Sequence, residues 1–530
     1  MHLRITHVAL LLLIIGILAF LLGKQQFEKP GQVVPASPEI TKTTSEKNFS
    51  RASSPHDRKK RNASSQHLDL AAMELGALPD QRMLAFASLA EMEDFRRRAG
   101  NRVTWLDQID GLAVARIRIN SGDDLSDLLG ASQELEFIFP VKTPDVYQGG
   151  IQTGAEPVGI HLLEMLGLNE NSPGTGKGVK IAILDTGIIA HDGLGKIISS
   201  INLVPLPADP AKINPHGTAV ASMIFGKNFP ALGIAPGAQG ISIRIANDDG
   251  LSDSFTLANG IMEAIKQRAD IIHISMGSSS DSSVVSQAVA AARKANIMIV
   301  AAAGNDGGKQ IAYPAANAGV IAVGAVDAKN NPMAFSNQGP AMSIAAPGYG
   351  NLAAMPGQKF ASVTGTSFSA PVVTGAVARA MDVYQAPSEE SFNRIAKTAN
   401  DGQQAGWDPQ LGYGTVDLGR VFRAETPGHY DAAIASIHLT KNGKEVEYLV
   451  QNRGTEALIN TTLTVDTPRG TFSSNITQLA PGGTHTVRVP YSGAAQSNSN
   501  TSTYSGRVRL SGNHLDQFSS NDFRQFSPQP

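Results

Sequence analysis

Residues 365–380 read GTSFSAPVVTGAVARA and combine a serine and a proline with a run of small residues. After the proline the residues are small and apolar, which predicts a helix buried on all sides. Ser367 stands at its start, where the first N–H groups lack partners within the helix and the helix dipole is positive. Two uses of this position remain open from the stretch alone. In the first, Thr366 or Ser367 serves as an N-cap, the common role of such residues at a helix start. In the second, the Ser367 hydroxyl is a reactive group beside donors that can hold an oxyanion.

The composition describes a large globular protein without a preference for charged partners. Of 530 residues, 42% are hydrophobic and 17% charged, and 44 Lys and Arg stand against 46 Asp and Glu, a formal charge of −2. This length predicts about two to four domains. The sequence contains no basic patch interleaved with aromatic residues, so it does not indicate a nucleic-acid partner. The absence of cysteine excludes disulfides, thiol catalysis and zinc–thiolate sites.

The N-terminal sequence predicts export. Residues 5–23 read ITHVALLLLIIGILAFLLG, with no Asp, Glu, Lys or Arg, and their length is near that of a membrane-spanning helix. We therefore expect residues 1–23 to be a signal peptide or a signal anchor, and the poor small-residue cleavage site favours an anchor. The chain would then lie on the extracytoplasmic side of a membrane, or be secreted if the segment is cleaved. The polar residues 24–79 predict a disordered linker.

A small unit at residues 80–145 follows the order β-α-β-β-α-β. Its strand patterns are at 83–86, 103–106, 112–117 and 136–139, and its helix patterns at 89–98 and 123–129. This order is ferredoxin-like, which by itself implies no function.

Beyond residue 178 strands alternate with helices, which predicts a parallel sheet with helices on both faces. The predicted strands are 179–184, 241–245, 271–274, 297–303 and 320–326, and the predicted helices are 216–225, 254–267 and 283–295. Functional sites in such sheets form at the carboxyl ends of the strands. Asp185 ends the first strand and Asn305 follows the fourth, so we expect both at the same edge as the helix N-termini.

After about residue 425 the pattern becomes all-β. Residues 448–450, 462–465, 486–489 and 507–510 alternate apolar and polar side chains, separated by Gly, Pro and Asn. Residues 428–530 are therefore predicted to form a separate β-sandwich.

Four residues of the α/β region together suggest nucleophilic catalysis. Hydrolysis of an amide by a serine needs a base, a carboxylate that orients the base, and donors for the oxyanion. Asp185 lies before a glycine turn, His216 opens a helix, and Asn305 lies in a Gly-rich turn. Each alone also fits a turn or helix-start residue. With Ser367 they follow the chain order Asp, His, Ser, one of three known arrangements of a catalytic triad.

The motifs that carry these residues resemble the subtilisin-like serine proteases (subtilases). They are Asp-Thr-Gly at 185–187, His-Gly-Thr at 216–218 and Gly-Thr-Ser-x-x-x-Pro at 365–371. Further similar text lies at 232–238, 274–278, 313–315, 320–325, 335–339 and 346–348. The resemblance spans about residues 151–421 and implies a catalytic domain at 150–424.

The resemblance implies roles for the residues at these positions. Ser367 would be the nucleophile, His216 the general base and then acid, and Asp185 the carboxylate that orients it. The Asn305 amide and the Ser367 N–H would form the oxyanion hole. An extended edge, Ser275-Met276-Gly277, would pair with a peptide substrate, and Gly304 and Ala312 would border an apolar P1 pocket.

The same resemblance implies roles for the flanking regions. Residues 80–145 would be an inhibitory propeptide, the chain's own intramolecular inhibitor, removed by autocleavage between about residues 140 and 154. The C-terminal module is similar to CARDB-like adhesion domains through LVQNRG at 449–454, LAPG at 479–482 and SSND at 519–522. We expect an exported serine endopeptidase that acts on proteins or peptides, made as a zymogen. The alternative is a catalytically silent subtilase fold with an adhesion or scaffolding role.

Three positions depart from the family pattern. His273 replaces a usual Asn in a buried strand, and we interpret it as a core histidine. Phe368 stands where many relatives carry an oxidisable Met. The loop 226–231 has no carboxylate, whereas calcium takes six to eight oxygen ligands. No cofactor is expected to be required, and structural calcium is not supported by the sequence.

Overall fold

The computed structural model describes residues 71–526 apart from gaps. The gaps are 121–124, 126, 130–134, 144–154, 170, 210–211, 403, 441–443, 491–503, 512–515 and 517–521. All described residues belong to one compact unit, Gln66–Pro530. The predicted signal or anchor segment at 1–23 lies outside them. Within the described part of the chain, no helix is both long and apolar enough to cross a bilayer.

The folded region begins earlier than the linker prediction placed it. Residues 71–74 form a helical turn, and the side chains of Ala72 and Ala77 are buried. The Leu78 N–H donates to the Ile138 carbonyl at 2.9 Å. Residues 71–79 therefore belong to the folded region rather than to a disordered linker, because their small apolar side chains find a surface to pack against.

The first domain is a four-stranded antiparallel sheet with the ferredoxin-like strand order β2-β3-β1-β4. Its elements are β1 (Gln81–Ala85), α1 (Leu89–Ala99), β2 (Val103–Ile109), β3 (Val114–Ile119) and β4 (Leu135–Phe137). Of the second predicted helix, residues 127 and 128 form a turn, and most of the rest lies outside the described residues.

A seven-stranded sheet forms the centre of the molecule, and all its paired neighbours run parallel. Its order is β13-β12-β11-β10-β6-β8-β7. The strands are β6 (Lys180–Asp185), β7 (Lys196–Asn202), β8 (Gln239–Arg244), β10 (Ile271–Ile274), β11 (Met298–Ala302), β12 (Val320–Val326) and β13 (Met342–Pro347). This confirms the predicted parallel sheet and adds β7 and β13, one at each edge.

Helices cover both faces of this sheet. They are α2 (Leu162–Met165), α3 (His216–Phe225), α4 (Ser254–Lys266), α5 (Ser283–Lys294), α6 (Thr366–Tyr384), α7 (Ser388–Lys397) and α8 (Leu418–Arg423). Along β6, Ile181 and Ile183 join the apolar cluster of α3 and α6, whereas Ala182 and Leu184 join that of α4 and α5. Successive strand residues point to opposite faces, so the two helix pairs lie on opposite sides. Every residue of α6 from 366 to 380 is buried.

Two short antiparallel pairs lie outside the main sheet. β5 (Pro140–Lys142) pairs with β9 (Leu251–Asp253), and β14 (Asn351–Met355) pairs with β15 (Lys359–Val363). The first pair joins the end of the N-terminal domain to the segment that precedes α4.

The C-terminal module is a β-sandwich. One sheet has the order β16-β17-β20 and the other β19-β18-β21-β22. The strands are β16 (Ala432–Leu439), β17 (Glu445–Asn452), β18 (Leu458–Thr467), β19 (Gly470–Leu479), β20 (Thr484–Pro490), β21 (Tyr504–Ser511) and β22 (Phe523–Phe526). Both sheets contribute to one apolar cluster, with Val450 and Val487 from the first and Leu463 and Val508 from the second.

Candidate active site

The first two predicted site residues are hydrogen-bonded to each other. Asp185 is the last residue of β6 and is fully buried, and His216 is the first residue of α3. Nδ1 of His216 lies 2.8 Å from Oδ1 and 2.9 Å from Oδ2 of Asp185. A carboxylate in this position holds the proton on Nδ1 and leaves Nε2 as the basic nitrogen.

Two glycines allow this close approach of strand end and helix. Gly187 has φ +93°, a conformation that other residues adopt at a cost. A Cβ at Gly217 would collide with the Gly187 carbonyl oxygen and lie 3.2 Å from Oδ1 of Asp185. The Asp-Thr-Gly and His-Gly-Thr motifs therefore form one contact, which explains the glycine in each.

Side chains that the sequence did not indicate fix the start of α3. The His216 N–H donates to Oδ1 of Asn214 at 2.9 Å, and the Gly217 N–H donates to Oγ1 of Thr186 at 3.0 Å. The fully buried guanidinium of Arg244 donates to the Thr186 carbonyl. Thr186 lies within a recognised motif, but nothing in the sequence marked Asn214 or Arg244.

The orientation of the Asn305 amide is set by Thr366. Oδ1 of Asn305 accepts hydrogen bonds from the Thr366 N–H at 2.9 Å and from its hydroxyl at 2.8 Å. Because the oxygen is occupied in this way, the NH₂ group points away and remains a donor. Nδ2 would lie 2.9 Å from a Cβ at Gly365, so glycine at 365 leaves the space beside this donor open.

Ser367 is the second residue of α6 and is almost fully buried, with 1% exposed. Gly365 occupies the N-cap position and no side chain caps the helix, so neither Thr366 nor Ser367 is used as an N-cap. The Ser367 hydroxyl donates to the Ser275 carbonyl at 3.2 Å. Nε2 of His216 is buried, with no hydrogen-bond partner among the described residues. The structure thus brings Ser367 to the site without a serine–histidine hydrogen bond, and such bonds often tighten only when substrate binds.

The predicted substrate-binding residues lie together beyond β10. A Cβ at Gly277 would lie 2.9 Å from the Cβ of Ala312, and one at Gly304 would lie 3.3 Å from it. The Gly277 backbone pairs with Lys142 through two hydrogen bonds of 2.9 and 3.0 Å. Met276 is fully buried, so its backbone rather than its side chain forms the edge with Ser275.

Two residues that depart from the family pattern lie close to this site or behind it. The ring of Phe368 lies 5.5 Å from that of His216, centroid to centroid. His273 is completely buried in β10 and hydrogen-bonded at both ring nitrogens.

The loop 226–231 gives no support for a calcium ion. The Gly226 carbonyl accepts from the Gly233 N–H at 2.9 Å, and the loop contains no carboxylate to supply charge. Across the described residues, no group of three or more His, Cys, Asp or Glu could hold a metal ion. These residues do not fit the oxygen-rich shell that calcium takes.

Comparisons with known proteins identify the family of this chain. Residues 176–414 match the Subtilase family. Subtilisin BL of Lederbergia lenta is 39% identical over 206 residues, which cover 38% of this chain and 76% of that protein. The minor extracellular protease Epr of Bacillus subtilis is 35% identical over 271 residues, covering 50% of this chain and 41% of that protein. The crystal structure of fervidolysin from Fervidobacterium pennivorans, a keratinolytic enzyme related to subtilisin, superposes with a TM-score of 0.56 at 20% identity. It covers 84% of this chain and 75% of that one.

A parallel sheet with an Asp–His pair at its carboxyl edge and a serine at a buried helix start defines the class of subtilisin-like serine proteases. The chain belongs to the Subtilase family. It is a serine endopeptidase, a hydrolase of class EC 3.4.21.

Proposed function

We propose that the protein is an exported endopeptidase that uses Ser367 as nucleophile and matures by removing its own N-terminal domain. The observation that carries the catalytic part is the hydrogen-bonded Asp185–His216 pair, whose free Nε2 belongs to the same site as Ser367. Asn305 adds an amide donor whose direction is fixed.

The proposed reaction follows from these positions. Rotation of the Ser367 hydroxyl from the Ser275 carbonyl to Nε2 of His216 lets the imidazole take its proton as Oγ attacks the substrate carbonyl. Asp185 stabilises the imidazolium that forms. The Asn305 amide and the Ser367 N–H donate to the oxyanion. His216 then gives the proton to the leaving amine, and a water molecule hydrolyses the acyl-enzyme by the reverse sequence.

Single substitutions test this assignment. Ser367→Ala and His216→Ala should each lower kcat for a peptide substrate by several orders of magnitude, about 10⁴-fold or more. His191→Ala is a matched control, because His191 is also buried but its ring contacts Phe360. Full activity in Ser367→Ala would refute the assignment.

The N-terminal domain supports the proposed zymogen through its contacts with the catalytic domain. Lys142 pairs with Gly277, the predicted substrate edge, while β5 pairs with β9 on its other side. The segment therefore lies between two edges as a bound peptide would. Val141 is 1% exposed and belongs to the same apolar cluster as Met276.

Two charged contacts hold the rest of this domain in place. The Glu136 carboxylate accepts from the hydroxyls of Ser282 and Ser283 at the N-terminus of α5. Arg116 forms an ion pair of 3.0 Å with Asp253, both largely buried. Both contacts support residues 80–145 as an intramolecular inhibitor.

The proposed cleavage lies after the paired segment. Residues 144–154, most of the predicted range, lie outside the described residues. Because Pro140–Lys142 occupies the substrate edge as the amino-terminal side of a bound peptide, we place the bond after Thr143. Mass spectrometry of the processed protein should find a new N-terminus between residues 144 and 155. An N-terminus at or before Thr143 would contradict this placement.

A preference for apolar P1 residues is supported by the lining of the pocket. Gly304 and Ala312, which would border the pocket, present no charge to a bound side chain. Peptides that differ only in P1 should show a higher kcat/KM with Leu or Phe than with Lys or Asp. An equal kcat/KM for Leu and Lys would remove the proposed preference.

Export is supported by the apolar residues 5–23 alone. A fusion of residues 1–79 to a reporter that is active only outside the cytoplasm should be active, and deletion of residues 5–23 should abolish this. Membrane fractionation of the same fusion separates an uncleaved anchor from a cleaved signal peptide.

A further inference from the structure

A hydrogen-bond chain behind the nucleophile contains a histidine that the proposed mechanism does not use. Nδ1 of His273 lies 2.8 Å from Oγ1 of Thr374, and its Nε2 lies 2.7 Å from Oγ of Ser275. Oγ of Ser275 lies 2.8 Å from the backbone carbonyl oxygen of Ser367. The chain therefore starts on α6, crosses β10 and returns to α6 at the residue of the nucleophile.

The Ser367 carbonyl depends on a donor from outside its helix. In an α-helix a carbonyl accepts from the N–H four residues later. Four residues after Ser367 stands Pro371, which has no N–H. A buried carbonyl without a donor is costly, and the Ser275 hydroxyl lies where the missing donor would be needed.

Counting protons decides the direction of the chain, because each hydroxyl has one proton to give. If the Ser275 hydroxyl donated to Nε2 of His273, the Ser367 carbonyl would lose its side-chain donor. If Nε2 carries the proton and donates to Ser275, the Ser275 hydroxyl is left to donate to Ser367.

The other end of the chain is consistent with this direction. The Thr374 hydroxyl must then donate to Nδ1 of His273 instead of to the Ala370 carbonyl, 3.1 Å away. The Ala370 carbonyl does not need that donor, since Thr374 has a backbone N–H at the helical position. Only the Nε2–H tautomer gives a donor to each acceptor along the chain.

We propose that His273 is a positioning residue for the nucleophile: it donates from Nε2 to Ser275 and so directs the Ser275 proton onto the Ser367 carbonyl. The inference rests on the proposed role of Ser367. The first turn of α6 carries both Ser367 and Thr366. The proposed hydrogen bond attaches this turn to the residue after β10, at the carbonyl that lacks a helical partner because of Pro371.

The surroundings keep this imidazole neutral. Burial lowers the pKa of His273 to about 3, with Asp185 opposing the shift and His216 adding to it. A neutral ring has one N–H and one acceptor nitrogen, which the chain requires.

Kinetics of the full chain test the proposal. His273→Leu replaces the imidazole with an apolar side chain, so the Ser275 hydroxyl loses the donor that holds it in position. This should lower kcat by about 10- to 100-fold through misplacement of Ser367, with KM little changed. His273→Gln can place an N–H near the position of Nε2 and should recover most of the loss. Tyr384→Phe is the matched control, because it removes a partly buried hydrogen bond of 2.7 Å to the Val421 carbonyl at the other end of α6.

A change of backbone separates positioning from general destabilisation. Pro371→Ala supplies the missing N–H to the Ser367 carbonyl, so in this background His273→Leu should lower kcat by less than about threefold, well below the loss expected from a misplaced nucleophile. An equal loss in both backgrounds would overturn the proposal. Retention of wild-type kcat by His273→Leu would overturn it as well, while a normal kcat in Ser367→Ala would instead overturn the proposed function.

NMR spectroscopy tests the position of the His273 proton without any substitution at His273, so it does not depend on whether the His273 variants fold. In ¹⁵N-histidine-labelled Ser367→Ala protein, the His273 resonances should show a proton on Nε2 and no titration between pH 5 and 9. A proton on Nδ1 would contradict the direction of the chain.

Discussion

At the scale of single residues, the site combines fixed groups with one group that must move. Asp185 and His216 are already hydrogen-bonded, and Thr366 fixes the Asn305 amide through two hydrogen bonds. Only the Ser367 hydroxyl, which donates to Ser275, must rotate to reach His216. Donors and charges that are already oriented can stabilise the transition state without a cost for reorganisation during the reaction.

Asn305→Ala should lower kcat by about 10²–10³-fold and leave KM nearly unchanged, because the amide acts on the oxyanion rather than on the bound substrate. This figure comes from the equivalent asparagine of a subtilisin and is carried over from that relative. Steady-state kinetics on a peptide substrate provide the check. A rise in KM with constant kcat would assign Asn305 to substrate binding instead.

Phe368 should make the enzyme resistant to peroxide. Its ring packs beside His216, and it has no sulfur that could become a bulky polar sulfoxide next to the nucleophile. We expect activity to remain largely intact after exposure to peroxide, and Phe368→Met to be inactivated under the same conditions. Rapid loss of activity in the wild type would contradict this prediction.

At the level of strands and helices, three of the proposed site residues lie at the ends of adjacent central strands. β6 ends in Asp185, β10 leads into Ser275 and β11 leads into Asn305, in the spatial order β11-β10-β6. The helices α3 and α6 then begin at this edge and bring His216 and Ser367. A parallel sheet places all these ends on one side, so the site follows from the topology.

The buried elements could be predicted from the sequence, and the edge elements could not. The continuous apolar runs of β6, β8, β10, β11 and β12 match strands buried on both faces, and α3 begins and ends as predicted. β7 reads KIISSIN, with every second residue exposed, and it forms an edge strand without the apolar run that marks the centre. β13 follows a loop and is interrupted by a register shift against β12.

The site residues that the sequence did not predict depend on contacts between residues far apart in the chain. The four predicted catalytic residues lie within motifs, whereas Asn214 and Arg244 act through contacts with Thr186 or His216 that only the fold creates. The His273 chain depends on β10 lying against α6. A single buried histidine in a strand gives no indication of its partners.

Glu136→Ala should loosen the N-terminal domain where it meets α5. The substitution removes two charge-assisted hydrogen bonds at a helix N-terminus, so amide exchange of β5 and of the first turn of α5 should accelerate by about 10- to 100-fold. Hydrogen exchange in the Ser367→Ala background avoids autocleavage. Glu93→Ala is the control, since Glu93 lies exposed on α1, and equal exchange in the two variants would contradict the proposed contact.

At the scale of the whole molecule, a polar interface joins the catalytic domain to the sandwich. The guanidinium of Arg420, only 6% exposed, donates to the carbonyls of Thr398, Ala399 and Arg453. The Asp401 N–H donates to Oε1 of Gln451 at 3.0 Å. Burial and the nearby Asp408 raise the pKa of Asp401 to about 6, although hydrogen bonds from Gly406 and Gly402 oppose the shift.

The stability of the molecule should therefore depend on pH through Asp401. Its folded-state pKa lies above the unfolded value, so the folded protein binds the proton more tightly and this stabilisation is complete below about pH 4. It is lost as pH rises through about 6, by at most about 3 kcal/mol. In the Ser367→Ala background, Asp401→Asn should flatten the free energy of unfolding between pH 4 and 7 relative to the parent. Parallel curves would show that Asp401 does not titrate in this window.

Ser367 is proposed to be an activated nucleophile, and covalent labelling measures that reactivity. The full chain, incubated with a fluorophosphonate probe and digested for mass spectrometry, should carry the phosphonyl group on Ser367. His216→Ala should react far more slowly and Ser367→Ala not at all. Absence of the label from Ser367 in the folded wild type, or equal labelling of the His216→Ala variant, would show that His216 does not activate Ser367.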